Sequence, residues 1–81
     1  MEDHEIHEHI GRLVEEEREL RSHSKAGHPL DEAERDRIAH LEVHLDQLWD
    51  LLRRRQAREE FGQDPATEAE RPAEVVEHYR Q

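Results

Sequence analysis

The run IAHLEVHLDQLWDLL, residues 38–52, decides the fold. Its apolar residues Ile38, Leu41, Leu45, Leu48 and Leu52 stand three, four, three and four apart. That spacing is the seam of an α-helix, and it does not fit the strict alternation of a strand. Trp49 and Leu51 widen the stripe. Outward from this run, the helix reaches back to SKAGHPLD (24–31) and forward to Gly62, so the pattern predicts a helix over about residues 30–60. Asp31 supplies an N-cap oxygen, and Glu34 three residues later completes a capping-box pattern. Gly62 suits the position just past a helix end.

Upstream, Ile6, Ile10, Leu13 and Leu20 carry the same alternation of four and three, with Glu17 on the seam and Val14 beside it. A first helix over about residues 3–24 follows, softened by Gly11, which costs up to ~1 kcal/mol relative to alanine. Gly27 fits a left-handed closing position and Pro29 cannot continue a helix, so the chain turns there. A linker this short forces the two helices antiparallel. Setting Ser24 beside Asp31 places Ile10 opposite Leu45, Leu13 opposite Leu41, Ile6 opposite Leu48 and Trp49, and Glu16 opposite Arg37. The expected architecture is therefore all-α: an antiparallel, coiled-coil-like two-helix hairpin over residues 1–61. Its core or interface set is Ile6, Ile10, Leu13, Ile38, Leu41, Leu45, Leu48, Trp49 and Leu52.

The second helix outruns the first by ~12 Å at 1.5 Å per residue. The tail, residues 62–81, offers a cover for that overhang. Asp64-Pro65 reads as an N-cap and first turn, and Pro72 opens a short helix over about 72–80 with Val75, Val76 and Tyr79 on one side. So few residues cannot hold a helix alone in water. The tail either docks on the overhang or waits for a partner.

Composition bounds the function. Charged residues make up 42% of the 81 and hydrophobic ones 32%, so one marginal core is all the chain can build. The net charge of −10 repels nucleic acid and anionic membrane, and the expected partner is a protein, first of all a second copy closing a four-helix bundle. There is no cysteine, no apolar run near ~20 residues and no apolar core in the opening MEDHEIHEH, so the expected location is cytoplasmic.

LEVHLDQLWDLLRRRQA (41–57), GQDP (62–65) and RPAEVVEHYRQ (71–81), with the Glu-rich EEEREL (15–20) upstream, resemble the small actinobacterial proteins grouped as domain of unknown function 2630. The resemblance implies size and helical layout but no activity. Leu48 stands where such proteins often carry a cysteine, which argues against thiol chemistry. A weaker echo joins DLLR (50–53) to cytoplasmic anti-sigma hairpins that bind a cyclic dinucleotide. Asp46 and Glu42 stand where that likeness calls for Arg and Gln, and their charge would repel a phosphate.

Several residue groups are candidates for chemistry. His40 and His44 lie four apart on one helix, with His9 across from His44, a set able to chelate a divalent metal if the three rings converge. Exposed polar service is the simpler reading of these histidines. HLEVH (40–44) is not a zinc-protease motif. Arg53, Arg54, Arg55 and Arg58 form the one dense basic cluster, suited to an anion or acidic partner, or else to the helix dipole and to Glu2, Asp3 and Glu5 nearby. Trp49 is an interface anchor or a core filler. Val75, Val76 and Tyr79 form a partner-binding segment or a strap on the chain's own overhang. No Gly-rich loop, nucleophile motif or convergent carboxylate pair is present, so neither enzymatic activity nor a cofactor is expected. The resulting expectation is a non-enzymatic helical interaction module that self-associates. The alternatives are a small regulator of anti-sigma type that binds one protein or an effector, and a histidine-based metal binder.

Overall fold

The computed structural model describes residues 2–25 and 27–79, with the side chains of Lys25, His78 and Tyr79 outside the description. Its helices are α1 (Asp3–Lys25), α2 (Glu32–Glu60) and α3 (Ala73–Tyr79), with a 3-10 turn at Pro65–Thr67 between the last two. Among the described residues there is no strand.

Each long helix starts and stops where its backbone groups find partners. At the start of α1 the Glu5 carboxylate accepts from Glu2 N–H at 3.1 Å, and Asp3 and Glu5 in the first turn complement the helix dipole. The capping box of α2 is complete: Glu34 N–H donates to Asp31 Oδ1 at 2.8 Å, and Asp31 N–H donates to Glu34 Oε1 at 3.1 Å. α2 begins at Glu32, two residues later than the sequence pattern implies, because Asp31 sits in extended backbone as the cap.

Both helices close with the same motif. At the end of α1, His28 N–H donates to His23 O and Gly27 N–H to Ser24 O, with Gly27 at φ 90°. At the end of α2, Gln63 N–H donates to Arg58 O and Gly62 N–H to Glu59 O, with Gly62 at φ 71°. These paired bonds are Schellman closures, and the left-handed backbone they require is what glycine adopts without strain.

α1 and α2 pack antiparallel around Ile6, Ile10, Leu13, Leu41, Leu45, Leu48, Leu51 and Leu52, with Leu20 against the edge and Ile38 buried near the turn. Ile6 and Leu48 are fully buried. The register lies close to the expected one. Arg37 donates to both oxygens of Glu16, as the pairing implies, and Arg21 Nη2 reaches Glu42 Oε1 at 2.6 Å.

Of the expected core or interface set, Trp49 is not a core filler: it is 40% exposed and lies outside the buried cluster. On the α2 cylinder it sits to one side of the Leu45–Leu48–Leu52 line, with the His7 ring of α1 edge-on to it. Leu51, expected only to widen the stripe, is buried. α3 spans seven residues and begins at Ala73, after Pro72. It and the 3-10 turn pack on α2.

Candidate functional site

α2 is the middle layer. Leu41, Leu45, Leu48 and Leu52 face α1, while Gln47, Asp50, Arg54 and Arg58, about half a turn away, hold the tail. Two flanks of α2 are left between these covers, and they differ.

The first flank is laced with polar contacts. Glu16 meets Arg37, His9 meets His44 edge-on with ring centroids 4.9 Å apart, and His44 Nε2 lies 3.6 Å from Glu70 Oε1 of the tail. Arg55 is 4% exposed and ties three segments together. Its Nε donates to Asp3 Oδ1 at 2.6 Å and its Nη1 to Pro65 O at 3.1 Å. The hydrogen bond to Asp3 raises the Arg55 pKa, against the cost of burial. The acidic start of α1 thus reaches the basic end of α2, at Arg55.

The three-histidine set does not assemble. His9 and His44 come together, but His40 Nδ1 donates to Asp36 O at 2.8 Å within its own helix. One turn of helix separates His40 from His44, and the three rings do not converge. Among the described residues, no group of three or more His, Cys, Asp or Glu side chains is placed to hold a metal ion.

The second flank is bridged to α1 by Arg21 and Glu42 at one end and is open around Trp49. Ala39, Glu42, Asp46, Trp49 and Arg53 run along it with three-four spacing, and two grooves meet at Trp49. One groove is lined by Asp46, Trp49, Arg53, Arg71 and Val76 among others; the second by Glu17, Ala39, Glu42, Val43 and Glu77 among others. Across the flank, the His7 ring stands edge-on to Trp49 at 6.3 Å between centroids. Val14 of α1 is 48% exposed.

The four clustered arginines divide in their roles. Arg53 is exposed and has no ion-pair or hydrogen-bond partner among the described residues. The other three bind the chain's own segments. Arg54 Nε donates to Asp50 Oδ2 at 3.0 Å, its Nη1 to Glu68, and its Nη2 to Ala69 O at 2.7 Å. Arg58 Nε donates to Glu68 Oε1 at 2.7 Å.

The hub is Asp50, buried on the tail side of α2. It also accepts from Arg71 Nε at 3.0 Å and from Arg71 Nη2. Burial penalises its charge, but the hydrogen bonds from Arg71 and Arg54 prevail and hold its pKa below the ordinary value. Glu68 is likewise lowered, by the Arg58 hydrogen bond first, against the cost of burial, with Arg54 adding a lesser pull.

Asp50, Glu68, Arg71 and Gln47 were not singled out from sequence. An aspartate at a non-seam position of α2 reads as solvated, so the sequence carried no signal of the burial that Asp50 shows. In the tail, Val76 is 4% exposed and Val75 38%, so the two valines split between core and surface. The Tyr79 side chain lies outside the described residues.

The fold and this site define a small helical hairpin whose third layer is its own tail, clamped by arginines and leaving one flank of the central helix open. The family described as "Protein of unknown function (DUF2630)" matches residues 2–81, and the chain belongs to that family. Uncharacterised proteins of Mycobacterium tuberculosis and Mycobacterium bovis are each 42% identical to it over 77 residues, covering 95% of this chain and 88% of theirs. No solved structure matches. No helix among the described residues is long and apolar enough to cross a membrane.

Proposed function

We propose that this chain is a non-enzymatic helical interaction module that pairs with a second copy of itself through the open flank centred on Trp49. The observation that supports this is the order of residues along that flank. Asp46 lies three residues before the half-exposed Trp49, and the unpartnered Arg53 lies four residues after it. At 1.5 Å per residue these charges stand about 4.5 and 6 Å to either side of the indole. An antiparallel two-fold pairing with Trp49 at the axis therefore sets Asp46 of each copy opposite Arg53 of the second. The same patch is self-complementary, as an isologous interface requires. Tryptophan and arginine are also the side chains most enriched among interface anchors.

The test is sedimentation equilibrium on the full chain, whose protomer mass is 9.7 kDa. The dimer mass is expected at tens of micromolar. Trp49→Ala removes an anchor worth about 2 kcal/mol or more and weakens association roughly thirtyfold. Asp46→Arg and Arg53→Asp each weaken association, and the double exchange restores it. A native chain that stays monomeric at those concentrations, or a double exchange no better than its parents, refutes the pairing.

A further inference from the structure

The tail is held to α2 mostly by polar contacts. Among the described tail side chains Val76 is the buried apolar one, while Val75 is 38% exposed. Arg55 holds Pro65 O, Arg54 holds Ala69 O, and Gln47 Nε2 donates to Arg71 O at 3.2 Å. A segment with so little apolar burial belongs to the part of a protein that opens locally and often.

At the centre of this grip, one carboxylate is divided between two arginines. Glu68 Oε1 accepts from Arg58 Nε and Oε2 from Arg54 Nη1. Arg54 and Arg58 are four apart on α2, so their guanidinium groups are neighbours and repel unless an anion lies between them. Asp50 accepts from Arg54 Nε, which turns the remaining donors of that fork outward, towards the tail. The Arg54 donors are thus oriented from within α2, while Arg58 Nη1 is held by Gln63 Oε1 at 3.2 Å just past the helix end.

We propose that Arg54 and Arg58 form a docking site for an acidic, extended peptide segment of a partner protein, with Glu68 of the tail as its built-in competitor. The chemistry of the ligand is read from the occupant the site already holds. Glu68 sits in extended backbone, with φ −86° and ψ 138°. Its carboxylate fills the arginine pair, the next carbonyl, Ala69 O, takes a further N–H from Arg54, and an apolar side chain follows at Val76. A partner segment with an Asp or Glu in extended backbone, followed by a short apolar helix turn, meets the same donors. The net charge of −10 opposes any acidic partner at long range, so recognition depends on this local fork. The site lies on the side of α2 away from α1 and does not depend on pairing through Trp49.

Because the competitor is on the same chain, its effective concentration is high, on the order of millimolar, and an external peptide binds the native chain weakly. The probe is a fluorescein-labelled peptide copied from residues 64–77, DPATEAERPAEVVE, with a twin carrying Gln at the Glu68 position. Fluorescence anisotropy is measured with the full native chain, the full-length Glu68→Gln variant, and Glu68→Gln combined with Arg58→Ala. Circular dichroism confirms that each variant keeps its hairpin. The peptide is expected to bind Glu68→Gln at least tenfold more tightly than the native chain. The gain is expected to vanish with the Gln twin, and also when Arg58 is removed. Equal affinity for the native chain and Glu68→Gln overturns the proposal, as does a gain that survives in the twin or without Arg58.

Discussion

Replacing Asp50 by Asn is expected to release the tail and leave the hairpin folded. Asp50 accepts two guanidinium N–H groups at 3.0 Å on Oδ2, from Arg54 and Arg71, and another from Arg71 on Oδ1. Asparagine has the same shape but no charge, and its amide nitrogen must point a donor at a donor. Hydrogen bonds to charged groups are worth about 1.5–3 kcal/mol each. The Arg54 and Arg71 side chains are 20% and 33% exposed, so solvent recovers part of that loss. A net cost of about 1–3 kcal/mol remains. Burial of Val76, the main apolar contribution of the tail, supplies about 1.5–3 kcal/mol before the cost of ordering the segment. The two magnitudes are comparable, so docking is left to the Glu68, Pro65 and Ala69 contacts and is strongly weakened. Amide hydrogen exchange reads this directly. The Glu68 and Val76 N–H groups, bonded to Pro65 O and Pro72 O, lose protection, while those of Leu45 and Leu48 keep theirs. Seven residues of α3 melt against 23 and 29 retained in α1 and α2, a fall in helical ellipticity of roughly a tenth. Unchanged tail protection, or parallel loss at Leu48, refutes the reading of Asp50 as a clamp on the tail alone.

Leu48→Ala removes a fully buried side chain from the α1–α2 contact and is expected to cost about 2–5 kcal/mol, lowering the thermal midpoint by roughly 10–40 °C. A loss below ~1 kcal/mol in urea titration counts against the hairpin packing described here. Asp50 and Glu68 have lowered folded-state pKa values, so they contribute stability above the unfolded values near ~4 and lose it as pH falls through the lower folded ones. Docking of the tail, followed through the Val76 methyl resonances, is expected to hold from pH 7 to about 5 and to weaken progressively only as pH falls below the ordinary carboxylate range near ~4. Release already at pH 6 refutes control by these carboxylates.

The two long helices and their antiparallel order were legible in the sequence because local rules decide them. Leu41, Leu45, Leu48 and Leu52 mark one face by spacing, Asp31 and Glu34 satisfy each other across three residues, and Gly27 and Gly62 supply the left-handed backbone of the two closures. The Glu16–Arg37 pair followed from the register that a short turn imposes.

Where Trp49 and the arginines would end up was not legible. Trp49 adjoins the seam by number, yet whether a residue at the margin of a stripe is buried depends on the neighbour across it, and that neighbour is His7. Arg54 and Arg58 read as serving an anion, the helix dipole or the carboxylates at the start of α1, because nothing in the spacing shows that residue 68 returns to them. That contact depends on the turn at Gly62 and on the path of the tail. His40 shares a helical face with His44 by number, but its ring bonds the carbonyl of Asp36 instead of turning towards His9. The sequence by itself determined which residues form helices and which faces are apolar, since propensity, capping and period act over a few residues. Only the tertiary structure decided which charges the tail neutralises and which flank of α2 stays open, because those outcomes depend on pairings between segments far apart along the chain.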